Sequence, residues 1–158
     1  MAAKSEDTTA TKKDTTENRI EYADTYGQAY DMAYPVGYRF AKNVGGSDSD
    51  ARIHAETFAE AYAESYMFYR SANMSKADAH EWAIHNATGF IEAMDGRGKR
   101  KAQAWAMMYA MQKMSGYSHV AAKAYVDTYI YWGTRGLDDA QAVAAAEEAA
   151  RKADKRSQ

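Results

Sequence analysis

The sequence predicts an all-α protein: about six short helices in an antiparallel, repeat-like array, solenoid or bundle, behind a disordered N-terminal tail. Three observations carry that expectation. Apolar and small residues recur three or four apart rather than alternating, which is the periodicity of helices and not of strands. The segments so marked end in glycine or asparagine and restart two residues later at serine or aspartate, the residue types that close and open helices. One such joint, within AYAESYMFYRSANMSKADA at 61–79, also recurs along the chain in degenerate form.

Residues 1–18 hold no aromatic and no branched aliphatic side chain, so nothing in them repays the entropy of ordering. This is the expected tail. Tyr22, Tyr26, Tyr30 and Tyr34, four apart, form a strip down a first helix beginning near Ile20. Pro35 removes a backbone donor and is expected to kink or break that helix, and Gly45 with Gly46 ends it. The second helix, 49–71, carries Ala51, Ala55, Phe58, Tyr62, Ser65 and Tyr69 at alternating steps of four and three, the pattern of a packed seam. Glu56, Glu60 and Glu64 line another of its faces.

Asn73 closes this helix and Ser75 opens a third, 76–94. The loop DGRGKRK at 95–101 leads into a fourth, 99–114, apolar nearly all round at its centre and so expected to be buried on every side. Gly116 and Ser118 open a fifth helix ending near Gly133. Gly136 and Asp138 open a sixth, whose charged end is expected to fray. The reading is one helical-repeat domain over 19–154, between the tail and frayed residues 155–158.

Setting the joints side by side aligns Tyr34, Tyr62, Trp105 and Tyr125, and four residues later Tyr38, Tyr66, Tyr109 and Tyr129. Lys42, Arg70 and Lys113 follow in three copies, with Gly133 in the fourth. Next come Gly45, Asn73, Gly116 and Gly136, then Ser47, Ser75, Ser118 and Asp138, then Ala51, Ala79, Ala122 and Ala142. A weaker copy at Trp82 would complete the series. The unit is a single helix, or a helical hairpin, stacked so that neighbours share a continuous core, with the tyrosine-rich first helix and the alanine-rich last one as end units.

The core material is unusual. There are 33 Ala, 20 aromatics of which 13 are Tyr, and 9 Met, but only 15 Leu, Ile, Val and Phe together. That poverty would ordinarily signal disorder. The net charge of only −2 and the aromatic area argue for folding instead. The thin burial that follows points to assembly with copies or partners.

Several classes of chemistry are weighed on motif geometry. Without cysteine there are no disulfides, thiolate sites or cysteine nucleophiles. HEWAIH at 80–85 is like the HExxH zinc motif, but its histidines, His80 and His85, are five apart instead of four and leave one face. The glutamates of the second helix lack the Glu-x-x-His partners of a carboxylate-bridged metal bundle. No nucleophile elbow or phosphate-binding glycine loop occurs, so no catalysis, cofactor or metal is expected. No apolar run approaches the about 20 residues needed to span a bilayer, and no secretory signal is visible. A soluble protein is expected, in the cytoplasm or within an intracellular or viral assembly.

The expected function is non-catalytic: a structural or adaptor protein acting through Tyr- and Ala-rich helical surfaces, in self-assembly or in docking to a filament, shell or virion. The candidate contact residues are Tyr22, Tyr26, Tyr30, Tyr62, Tyr66, Tyr69, Tyr125 and Tyr129. The alternative is nucleic-acid binding through Arg97, Lys99, Arg100 and Lys101, four cations in five residues. A metal-binding or enzymatic bundle is the third reading. The expected partner is protein, a homo-oligomer or a larger assembly.

Overall fold

The computed structural model describes residues 21–94 and 96–158, and the expected tail lies outside them. Six helices follow one another: α1 (Tyr26–Asn43), α2 (Asp48–Ser71), α3 (Lys76–Met94), α4 (Lys99–Met114), α5 (His119–Gly133) and α6 (Asp139–Arg156). The all-α reading holds, and the joints follow from local chemistry. Gly45, Asn73, Gly116 and Gly136 all take positive φ. The next amide in each case reaches back five residues to a carbonyl, Gly46 to Ala41, Met74 to Tyr69, Tyr117 to Gln112 and Leu137 to Trp132, the Schellman closure of a helix end. Two residues past each αL position, the side chains of Ser47, Ser75, Ser118 and Asp138 accept from the backbone N–H three residues on. The Asp138 backbone N–H also donates to the Gln141 side chain, completing a capping box. Ala51, Ala79, Ala122 and Ala142 then enter the core.

The fifth joint, between α3 and α4, does not start at Trp82. Gly96 takes positive φ, Gly98 caps α4 and Ala102 is fully buried, which puts His85 and Gly89 where the other copies have their aromatic pair. The missing ring is supplied from α4: a Cβ on Gly89 would stand 2.8 Å from Cδ1 of Tyr109. The copy is weak in sequence because its neighbour fills its space.

The first helix begins later than its tyrosine strip suggests. Thr25 caps it, accepting from the Gln28 N–H, while the Gln28 side chain accepts from the Asp24 N–H, so Tyr22 precedes α1. Pro35 lies inside α1 without breaking it; it is on the exposed side, where water can reach the carbonyl that loses its donor. At the other end α6 continues through residue 155 to Arg156, held antiparallel to α5 by a hydrogen bond from the Ser118 hydroxyl to Asp154.

Among the described residues the helices pack closely only on their neighbours in sequence, and α1 does not meet α6. The result is an open serial array and not a closed bundle. Small residues set the close approaches: Gly37 faces the Ala55 backbone and Phe58 so tightly that a Cβ there would stand 2.9 Å from the Phe58 Cβ. The pair α4 and α5 approaches least closely, and the polar tips of Trp105 and Tyr109 bridge it, to Asp127 and His119. The helix α4 is not buried all round: Met107 lines an open groove facing α2, and Met107 and Met111 stay about half exposed. Among the described residues no helix is long and apolar enough to cross a membrane.

Candidate functional site

The aligned aromatic pairs are the first candidates, and packing settles where they sit. Tyr62 stacks on Tyr66 and Trp105 on Tyr109, with rings 13° from parallel in both. All four are at most 2% exposed. Tyr69 and Tyr125 are also buried. A partner that leaves the fold intact therefore has little access to Tyr62, Tyr66 and Tyr125, whereas Tyr69, though largely buried, shows an edge in the wall of a groove between α2 and α4. Tyr22, Tyr30 and Tyr129 are half-buried, and Tyr26 is exposed.

The phenol hydroxyls of the second aligned series find polar partners at the rim of the core, and they do so in register. Tyr38, Tyr109 and Tyr129 each bond the side chain ten residues on, Asp48, His119 and Asp139, at the start of the following helix. The fourth copy differs, because the residue ten after Tyr66 is Lys76. The Tyr66 hydroxyl instead donates to the Ala23 carbonyl at 2.6 Å, and Lys76 pairs with Asp24. Together they strap residues 21–25 across α2 and α3, where the Tyr22 ring lies 5.2 Å from that of His80. Nδ1 of His80 is in turn 2.6 Å from the Tyr62 hydroxyl. Burial pushes the Tyr62 phenol far up, and it pushes Tyr109 up to about 12, with the Glu92 charge adding to the effect.

His80 and His85 border one shallow depression with Tyr22, Asp78, Glu81 and Ile84. Burial lowers the pKa of both, against the opposing charge of Glu81, and Lys113 lowers His85 further. Among the described residues no group of three His, Asp or Glu is placed to hold a metal ion.

The basic run is divided. Arg97 donates to Asp127 at 3.2 Å and lies 5.7 Å over the Trp105 ring, while Trp105 Nε1 donates to the same Asp127 at 2.8 Å. This clamp ties the α3–α4 loop to α4 and α5 and neutralises Arg97. Lys99, Arg100 and Lys101 are exposed in the first turn of α4.

The feature that sequence reasoning missed is a groove of about 250 Å³ between α2 and α4, floored by α3. Glu60, Glu64 and Phe68 form one wall, Lys99, Gln103 and Met107 the other, and Asn86 and Phe90 lie beneath. Phe68 is 59% exposed and Met107 48%, an apolar lining left in water. The glutamate ladder thus stands between two surfaces. On its other side Tyr26 and Tyr30 have phenol pKa values raised by partial burial and then by Glu64, Glu60 and Glu56. One signal was present in the sequence: Phe68 is an aromatic residue off the seam that ends at Tyr69.

No protein-family model, curated protein or solved structure matches this chain. The site is therefore read from its own geometry.

Proposed function

We propose that the chain is a non-catalytic helical-repeat adaptor that docks polypeptide on its helical surfaces, with the α2–α3–α4 groove as the principal seat. The observation that carries this is the pairing of exposed Phe68 and Met107 across a groove with charged rims. Large aromatic and Met side chains in a partly desolvated cleft are what polypeptide anchors bury, and a groove between helices suits an amphipathic helix. The role rests on these residues, with Tyr69 beside Phe68 in the same wall, and not on the stacked pairs of the core.

The test is site-specific photo-crosslinking in the source cells. A photoreactive residue in place of Phe68 or Met107 is expected to give discrete protein adducts, competed by excess unmodified protein. The same residue at Ala144, exposed on α6, is the control. Adducts at Ala144 equal to those at Phe68, or none at Phe68, would remove the reading. A second reading, contact with nucleic acid, rests on Lys99, Arg100 and Lys101, exposed and without an ion pair among the described residues. It expects binding at low salt that weakens steeply as salt rises and is lost when the three are neutralised.

A further inference from the structure

We infer that copies of this chain join head to tail, with the ridge Val36–Phe40–Val44 of one copy seated in the α2–α3–α4 groove of the next. This rests on the docking reading above and names the occupant. The ridge is as unusual as the groove. Val36 and Phe40 stand one turn apart on α1 and Val44 caps it a turn later, and they are 39%, 57% and 70% exposed. They are not on the side of α1 that packs on α2, which is Ala29, Ala33, Gly37 and Ala41. One face of the Phe40 ring stacks on His54 of α2 at 5.4 Å and 21°, which orients the ring while more than half of it stays in water.

Dimensions and charge match ridge to groove. Val36 to Val44 spans the same eight residues as Glu60 to Phe68 along the groove wall, about 12 Å of helix in each case. Arg39 lies about 100° round the helix from Phe40, beside the ridge, and it has no carboxylate partner among the described residues. Glu60 and Glu64 on the groove wall have no cation among them either. Lys99 on the facing wall sets the direction, because Arg39 is drawn to the α2 side and repelled from the α4 side. Ridge against ridge would instead leave the two glutamates unused and set Arg39 near its own copy. Two different surfaces meeting make a heterologous contact, which propagates into a ring or an open filament.

Sedimentation velocity over a wide concentration range tests this, using the full chain and the variants Phe40→Glu and Phe68→Glu. Both side chains are more than half exposed, so the variants are expected to keep wild-type far-UV circular dichroism. Wild type is expected to sediment faster as concentration rises, and each variant alone to remain a monomer. The decisive sample is an equimolar mixture of the two. One partner keeps an intact groove and the other an intact ridge, so the mixture is expected to form a dimer and nothing larger. A wild-type protein that stays monomeric at every concentration overturns the inference. So does a mixture that fails to recover the dimer. Either result leaves the crosslinking at Phe68 free to succeed with another polypeptide, so the docking reading fails or stands separately.

Discussion

The hydroxyl of Tyr109 lies 2.7 Å from Nδ1 of His119, ten residues on and at the start of the next helix. Nε2 of the same ring is 3.5 Å from Glu92 on α3, so one phenol, one imidazole and one carboxylate link α4, α5 and α3. Tyr109→Phe keeps the ring stack on Trp105 and deletes only the hydroxyl. Because His119 is partly exposed and water can take over at Nδ1, the expected loss is about 1 kcal/mol. Urea unfolding of Tyr109→Phe, His119→Gln and the double variant measures it. A coupling energy indistinguishable from zero would show that the bond is incidental. The phenolate absorbance titration is expected to lose a step near pH 12, where burial has pushed Tyr109.

Acid should loosen the other tyrosine–histidine hydrogen bond among the described residues, that of Tyr62 with His80, which is out of register with the first. Burial holds the pKa of His80, His54 and His85 below the ordinary value, while the unfolded chain takes up these protons near about pH 6.5. Below that point the unfolded state binds more protons than the folded one, so stability falls as pH drops, and above it these groups contribute no slope. At His80 the cause is concrete. The Tyr62 hydroxyl lies 2.6 Å from Nδ1 of His80; in the tautomer with its proton on Nε2 the ring accepts the phenol O–H, and protonation at Nδ1 removes that acceptor. Urea midpoints measured across this range should decline below neutrality in wild type and decline less in His80→Gln. Equal slopes for the two would refute the assignment.

What could be read in the sequence was whatever the chain decides locally. Asn73, Ser75 and their counterparts close and open helices through hydrogen bonds spanning five residues or fewer, so spacing alone located them. The α3–α4 joint escaped because His85 and Gly89 replace the aromatic markers and Tyr109 fills the gap from another helix. Tyr22 was misplaced because Thr25 and Gln28 start α1 after it. The groove was beyond reach for a similar reason. Whether Phe68 and Met107 are buried depends on how far apart α2 and α4 stand, and no residue pattern within either helix encodes that distance.

Two glycines separate propensity from packing. A Cβ on Gly27 would have nothing within 4 Å of it, and the residue lies in the first turn of α1. Gly27→Ala should therefore stabilise by up to about 1 kcal/mol, through helix propensity alone. Gly89→Ala gains the same propensity but drives its methyl to 2.8 Å from Cδ1 of Tyr109 and 3.2 Å from the Ala106 backbone. Tyr109 is buried and stacked, so it cannot swing clear. The overpacking cost of about 1–3 kcal/mol is expected to win. Thermal unfolding should move the two variants in opposite directions. A Gly89→Ala protein at least as stable as wild type would mean that α3 and α4 separate more easily than their packing indicates.

Asn73 is the one described residue other than glycine with positive φ, at 62°, where the equivalent positions are Gly45, Gly116 and Gly136. Asparagine tolerates this region better than other side chains, because its short amide can satisfy the local backbone. Asn73→Ala keeps the helix-ending hydrogen bonds of Asn73 to Arg70 and Met74 to Tyr69 but forces a Cβ into the left-handed region without that compensation. It should cost about 1–2 kcal/mol. Asn73→Gly removes the steric term and adds backbone freedom to the unfolded chain, and the two should cancel to within about 0.5 kcal/mol. Urea midpoints for the pair, with Gly116→Ala as the parallel case, check the argument. If the Ala and Gly substitutions at this position have equal effects, the joint does not depend on the αL residue, and the repeat is held together by its aromatic packing alone.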